Sequence, residues 1–183
     1  ELAEEALQQA VDFQLDGRTE GLGVIGVGKL GGHELGYASD LDVLFVYDPK
    51  AAPVSAEAGE HFTRHAQRII RLISEPHVAG RGYELATRLR PSGSQGLLVA
   101  SLRSFARYPH VPLPETRDSD APPAVFASGE AWERQALLRA RVCAGDRRLG
   151  EQVMQIAQVA AYERGAPAAG QIHHLRSRMQ REL

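Results

Sequence analysis

The chain has 183 residues, with 21 Lys plus Arg against 23 Asp plus Glu, for a formal net charge of −2. That is one ordinary domain's worth of chain, long enough to bury a core without a metal or disulfide staple. No run approaches the ~18 apolar residues a membrane span needs, and near-neutral charge with 6% aromatics gives no basic, stacking-rich surface of the kind nucleic acid selects. Neither membrane nor nucleic acid is expected as a partner. The single Cys143 excludes an internal disulfide and fits a reducing compartment, and the acidic start (Glu1, Glu4, Glu5) is the opposite of a signal peptide's basic one. A cytoplasmic protein is expected.

Apolar Leu2, Ala6, Val11 and Leu15 give the first segment, Glu1 to Leu15, a helical stripe that Asp16-Gly17 breaks. Leu22 to Val27 reads as a strand ending in glycines, and Leu41 to Tyr47 as a second one closed by Asp48-Pro49. Phe62, Ala66, Ile69, Ile70 and Ile73 recur at helical spacing, which predicts a core-facing helix over Glu57 to Ile73. Gly82 to Arg90 reads as a third strand and Leu97 to Ala100 as a fourth, after which Ser101 is expected to cap a short helix to Tyr108. Pro109 to Gly129 is proline-rich and aperiodic, a long loop or insertion. Two further helices are predicted, Glu130 to Ala144 and Arg147 to Arg164, separated by a Gly145-Asp146 stop and N-cap. Gly165 to Gly170 is a small-residue linker. Both ends lie inside helical pattern, so a fragment of a longer protein is expected.

The stretch Gly23-Val-Ile-Gly26-Val-Gly28-Lys29-Leu30-Gly31-Gly32 fits parts of three phosphate-binding patterns. As G-x-x-x-x-G-K it fails, because Leu30 stands where a P-loop needs a Ser or Thr hydroxyl for magnesium. As Gly26-x-Gly28-x-x-Gly31 it fits the dinucleotide fingerprint, with Asp48 about 20 residues on as a ribose-binding acid. That reading is cramped, since a parallel crossover generally needs a dozen or more residues with its helix and Gly32 to Ser39 leaves room for about two turns. The third pattern adds Asp40-Leu41-Asp42, whose carboxylates share one face because strand side chains alternate. Paired carboxylates repel unless a cation sits between them, and Mg²⁺ takes one or two carboxylates and completes its octahedron with phosphate oxygens and water. Gly31-Gly32, expected to open a short helix, would let backbone N–H groups approach a triphosphate. A strand, a Gly-Gly turn, a short helix and a D-x-D strand make the nucleotidyltransferase arrangement, an α+β fold with a mixed sheet. Taken alone a D-x-D is a weak signal, and Asp40 then reads as a boundary residue and Asp42 as a solvent-facing strand position.

The run Gly28-Lys29-Leu30-Gly31-Gly32-His33-Glu34-Leu35-Gly36-Tyr37-Ala38-Ser39-Asp40-Leu41-Asp42-Val43-Leu44-Phe45 closely resembles the signature of glutamine synthetase adenylyltransferases, also called adenylyl-removing enzymes. Arg88-Leu89-Arg90-Pro91-Ser92-Gly93 resembles that family's second block, and Trp132 to Leu137 through Arg139-Ala140-Arg141 to Gly145-Asp146 its third. The resemblance implies a nucleotidyltransferase core of the DNA polymerase beta-like kind over 1–108, a Pro-rich loop over 109–129 and a helical segment over 130–183, truncated at its end. It implies transfer of AMP from ATP, with Mg²⁺, to a tyrosine of glutamine synthetase, regulating nitrogen metabolism, and the nitrogen-signalling PII protein as a further candidate partner. Gly36-Tyr37, Pro91-Ser92-Gly93 and Gln135-Ala136 look more like the adding, C-terminal domain of the family's two. Asp40 and Asp42 are then the catalytic, metal-holding pair, and Gly31, Gly32, Ser39, Arg88 and Arg90 the nucleotide-binding residues.

One position departs from the family pattern. Where a third carboxylate is expected, two residues before Arg88, this chain has Ala86. Positions 84, 86, 88 and 90 of a strand share a face, so Glu84 is an imperfect substitute, displaced by two residues. The departure leaves two alternatives, a non-catalytic ATP-binding regulatory domain and, from the fingerprint above, an NAD-binding oxidoreductase domain. Arg88 and Arg90 read as phosphate clamps or as a solvated strand face, and Lys29 makes a weaker candidate. His61 and His65 have the i, i+4 spacing of a helical metal site without a third ligand, and are read as a solvent-facing pair. His173-His174 begins a segment with Arg176, Arg178 and Arg181 that suits packing on a neighbouring domain. Cys143 is expected at a helix end as a small buried hydrophobe.

Overall fold

In the computed structural model, which describes residues 1–76, 78, 80–87, 98–107, 135–162, 170 and 177, the chain opens with helix α1 (Leu2–Gln14). Glu1 and Glu4 form a reciprocal capping box at its start. Its buried stripe is Ala3, Leu7, Ala10 and Val11, one step round from the expected one, and Leu2 is 76% exposed. Asp16 and Gly17 both take positive φ and end it as predicted.

Strand β1 (Leu22–Gly26) is buried on both faces and runs through α2 (Gly28–Gly31), a single turn, toward β2 (Leu41–Tyr47). β1 and β2 pair antiparallel, Leu22 opposite Tyr47 and Gly26 opposite Val43. This overturns the dinucleotide reading, which needs two parallel strands joined by a full crossover helix. Asp48 accepts from the Lys50 N–H and caps a 3₁₀ turn, a sufficient structural use of that acid.

Helix α3 (Ala58–Ser74) buries Phe62, Ala66, Ile69 and Ile73 of the stripe read from the sequence, with Ala58 added and Ile70 half-buried against the core. Two short strands, β3 (Leu85–Ala86) and β4 (Val99–Ser101), then pair parallel with opposite ends of β2: Leu41 and Asp42 stand level with Leu85 and Ala86, and Phe45 to Tyr47 with Val99 to Ser101. The Ser101 hydroxyl accepts from the Ser104 N–H and caps helix α4 (Leu102–Arg107), as expected.

The largest correction concerns residues 141–145. The predicted helix from Glu130 to Ala144 gives way to strand β5 (Arg141–Gly145), antiparallel to the free edge of β1, with a register shift between Val24 and Ile25. The sheet order is β3-β2-β1-β5, with β4 also on β2. Without β5 the N–H and C=O groups on that edge of the buried β1 would lack partners, a cost that outweighs the modest helix propensity of the preceding residues. Gly145 therefore ends a strand and not a helix. Asp146 does cap helix α5 (Arg147–Tyr162), accepting from the Arg148 and Leu149 N–H groups through one oxygen and from the Gly21 N–H through the other.

Alternation along the sheet builds two cores. Leu22, Val24, Val43 and Phe45 pack with Leu7 and Val11 of α1 and with Phe62 and Ile69 of α3. Ile25, Val27, Leu44 and Val46 pack on the other face with Phe105 of α4 and Leu149, Val153 and Ile156 of α5. Each fully buried large side chain contributes about 1.5–3 kcal/mol relative to exposure. The result is the expected mixed α+β architecture. None of the described helices is long and apolar enough to cross a membrane.

His61 and His65 are not solvent-facing. Their rings meet at 4.7 Å, His61 packs edge-on against Phe62, and the His65 Nδ1 is buried with no hydrogen-bond partner among the described residues. Burial first, and then the neighbouring His61, Arg68 and Arg64, hold His65 below the ordinary 6.5, while the Gln14 backbone at the end of α1 acts the other way. A folded-state value below the unfolded one means stability present above about pH 6.5 and lost as pH falls through the depressed value. Melting temperature should fall on acidification below about 6.5, and His65→Leu should flatten that slope. An unchanged slope would remove His65 as its cause.

Candidate active site

The β1–α2 junction brings the glycines to the acidic pair. The Val27 N–H donates to the Asp42 carbonyl at 2.9 Å, and the chain turns at Gly28 with φ +55. A Cβ on Gly28 would lie 2.7 Å from Asp42 Oδ2, so only glycine allows both this φ and the approach of that carboxylate. Asp42 lies in β2 on the face of Leu44 and Val46, and Asp40 shares that face one dipeptide earlier, just ahead of the strand. The donor set, two carboxylates beside a turn without a side chain, fits what Mg²⁺ takes from a protein when phosphates and water complete its shell.

The register of β3 puts Ala86 level with Asp42 in the adjacent parallel strand. One dipeptide back, ahead of β3, the Glu84 carbonyl accepts from the Leu41 N–H at 2.8 Å. Glu84 is exposed and Ala86 buried. Among the described residues, no group of three or more His, Cys, Asp or Glu side chains is placed to hold a metal ion. The slot beside Asp42 is therefore filled by a methyl group, and Glu84 does not complete a triad.

Gly31 and Gly32 stand at the other end of α2 from the one expected. They close α2 instead of opening it: Gly32 is its C-cap, and its N–H donates to the Gly28 carbonyl. A Cβ on Gly31 would collide with the Arg139 carbonyl oxygen, and one on Gly32 would meet the Arg139 side chain at 3.2 Å. Gly31 is required by the close passage of the chain entering β5, whereas at Gly32 the flexible Arg139 side chain would have to shift by a few tenths of an ångström. The glycine that faces the carboxylate is Gly28, which the sequence pattern contained without distinguishing it. Ser39 accepts from the Gly36 N–H at 3.0 Å and pins the turn leading to Asp40. Tyr37 on that turn is fully exposed, and Lys29 on α2 is exposed between half-buried Gly28 and buried Leu30.

Sequence reasoning missed what holds α2 from behind. Arg141 of β5 grips the Glu4 carboxylate with two nitrogens, at 2.5 and 2.9 Å, and donates to the Leu30 carbonyl at 2.9 Å and the Gly31 carbonyl at 3.3 Å. The Arg141 hydrogen bond is the main cause holding Glu4 below the usual carboxylate range. Arg139 pairs with Glu34 just beyond α2. Cys143, in β5 and not at a helix end, is buried as expected, its Sγ packed where Gly26 lacks a Cβ; burial pushes its thiol up. Arg88, Arg90, Pro91-Ser92-Gly93, the Pro109 to Gly129 loop, Trp132 to Arg134, most of Gly165 to Gly170 and His173-His174 lie outside the described residues.

Comparison with known proteins bears on this geometry. The chain is 41% identical over 150 residues, 78% of its length, to a bifunctional glutamine synthetase adenylyltransferase/adenylyl-removing enzyme of Thioalkalivibrio sulfidiphilus. It is 37% identical over 174 residues, 89% of its length, to the protein of that name from Pseudomonas syringae pv. tomato, and 46% identical over 127 residues, 69% of its length, to that from Aromatoleum aromaticum. These matches span 14%, 16% and 11% of the respective relatives, so the chain corresponds to a small part of their length. The family profile of glutamate-ammonia ligase adenylyltransferase matches residues 2–111, which include α1, the Gly28 turn, Asp40, Asp42 and Ala86. The chain belongs to the glutamate-ammonia ligase adenylyltransferase family.

Proposed function

We propose that this domain transfers AMP from ATP to a tyrosine hydroxyl of glutamine synthetase, as the adding half of a two-activity protein that works in the cytoplasm. The observation that carries the reading is the meeting of the Asp42 carboxylate with the Gly28 turn at the end of β1. Asp40 and Asp42 would hold Mg²⁺, which when bound supplies positive charge to the phosphate oxygens of ATP. The turn at Gly28 presents backbone without a side chain, so phosphate can approach Asp42 unobstructed. Ser39 fixes the turn that carries Asp40, and Arg88 and Arg90, from their motif, are assigned to the departing pyrophosphate. Transfer forms a bond from the tyrosine oxygen to the α-phosphorus and breaks the bond between that phosphorus and the departing pyrophosphate, the hydroxyl's proton passing to bulk water. The relatives' names support glutamine synthetase as the acceptor; PII is retained as a regulator on the strength of the sequence motifs alone.

A second reading, an ATP-binding regulatory domain without turnover, is favoured by one observation: the residue level with Asp42 on β3 is Ala86. One experiment separates the two. The intact protein is incubated with glutamine synthetase, Mg²⁺ and ATP labelled on the α- or γ-phosphate. Label reaching tyrosine from the α-position alone supports transfer. Tight Mg–ATP binding with no label on tyrosine replaces it with the regulatory reading, and release of label from pre-adenylylated glutamine synthetase assigns the removing half.

A further inference from the structure

A one-turn helix cannot hold itself, because fixing a first turn costs more conformational freedom than its single hydrogen bond returns. α2 has four residues, Gly28–Gly31, and the carbonyls at its end have no partners within it. The Glu34 N–H takes up the Lys29 carbonyl at 2.8 Å and the His33 N–H reaches the Leu30 carbonyl at 3.3 Å, while Arg141 supplies the closer contact to Leu30, at 2.9 Å, and the contact to Gly31. Its planar guanidinium spends Nε on the Gly31 carbonyl, Nη2 on the Leu30 carbonyl and on Glu4, and Nη1 on Glu4, so four contacts leave in fixed directions from one rigid group. Glu4 is itself fixed, since its carboxylate closes the capping box of α1 on the Glu1 backbone nitrogen. The His33 Nδ1 lies 4.0 Å from the same carboxylate, just past the C-cap of α2. Three parts of the chain distant in sequence, α1, α2 and β5, thus converge on one guanidinium, and the opposite end of the turn it anchors is Gly28 against Asp42.

We propose that Arg141, oriented by Glu4, is a positioning residue that sets the Gly28 turn against Asp42 and so shapes the nucleotide site without touching the nucleotide. The assignment rests on the nucleotide-site reading above for its functional half and on the hydrogen bonds alone for its structural half. A lysine at 141 keeps the charge and the reach to Glu4 but cannot direct three nitrogens at three acceptors. Exchanging the charges, Glu4→Arg with Arg141→Glu, restores an ion pair but leaves the Leu30 and Gly31 carbonyls facing a carboxylate that cannot donate.

Amide hydrogen exchange and ligand titration on the intact protein test both halves. In Arg141→Lys the Gly31 and Gly32 amides should exchange roughly tenfold faster, with β1 unchanged, and Mg–ATP should bind roughly tenfold more weakly while adenosine is unaffected, the loss of about one charge-assisted hydrogen bond. The charge-exchanged protein should recover melting temperature but neither of these properties. Unchanged protection at Gly31 and Gly32 in Arg141→Lys overturns the anchoring, as does full recovery of protection on charge exchange. Accelerated exchange with unaltered Mg–ATP affinity overturns the positioning role. If the parent binds no Mg–ATP, the proposed function fails, and the exchange at Gly31 and Gly32 still decides the anchoring.

Discussion

Replacing Asp40 and Asp42 together by Asn is expected to abolish the magnesium-dependent part of ATP binding. Asn keeps the size of each side chain and the β2 backbone, so what is lost is charge. Two charge-assisted contacts at about 1.5–3 kcal/mol each correspond to a loss of roughly 10²-fold or more in affinity for Mg–ATP. Binding in the presence of a chelator should be unaltered, because the carboxylates act on the nucleotide only through a cation. Calorimetric titration with and without Mg²⁺ reads the difference. A double mutant that binds Mg–ATP as tightly as the parent would show that the Asp40 and Asp42 pair is not the metal site.

The acidic pair was legible because strand alternation is a local property, and β2 runs over the residues that its β-branched and aromatic run predicts. The same holds for the stripe of α3 and for the Ser101 and Asp146 caps, each of which acts within three residues of itself. What escaped is what depends on a distant partner. β5 follows residues of helical pattern, and nothing in Arg141-Val-Cys-Ala-Gly announces that it will complete the free edge of a strand lying more than a hundred positions earlier. Arg141 and Glu4 are 137 positions apart, so no spacing rule could join them. Gly31 illustrates the same limit from the other side. Its presence in a phosphate-binding pattern is real, yet the Arg139 carbonyl alone forbids a side chain there. A motif tells which residue types a turn needs; the tertiary neighbour tells why each of them is needed.

Ala86→Asp is the substitution with the second large expected effect, a gain of function. Position 86 is level with Asp42 in register and faces the same side of the sheet, so a carboxylate there would stand beside the acidic pair. If the domain is a transferase that lacks a carboxylate to accept the attacking hydroxyl's proton, AMP transfer to glutamine synthetase should rise by on the order of 10²-fold, the lower end of what a positioned base contributes. Stability supplies an independent readout. Ala86 is 9% exposed, and a third negative charge at that spot should lower the melting temperature in a chelator and regain it in Mg²⁺. Glu84→Ala distinguishes a substitute from a bystander: Glu84 lies ahead of β3 and is exposed, so its removal should change transfer little in either background. A regulatory domain gives a different pattern, in which Ala86→Asp alters the response to Mg²⁺ while transfer stays undetectable. A parent that already transfers AMP at a rate indifferent to both substitutions would mean that two carboxylates suffice here and that position 86 plays no part in the chemistry.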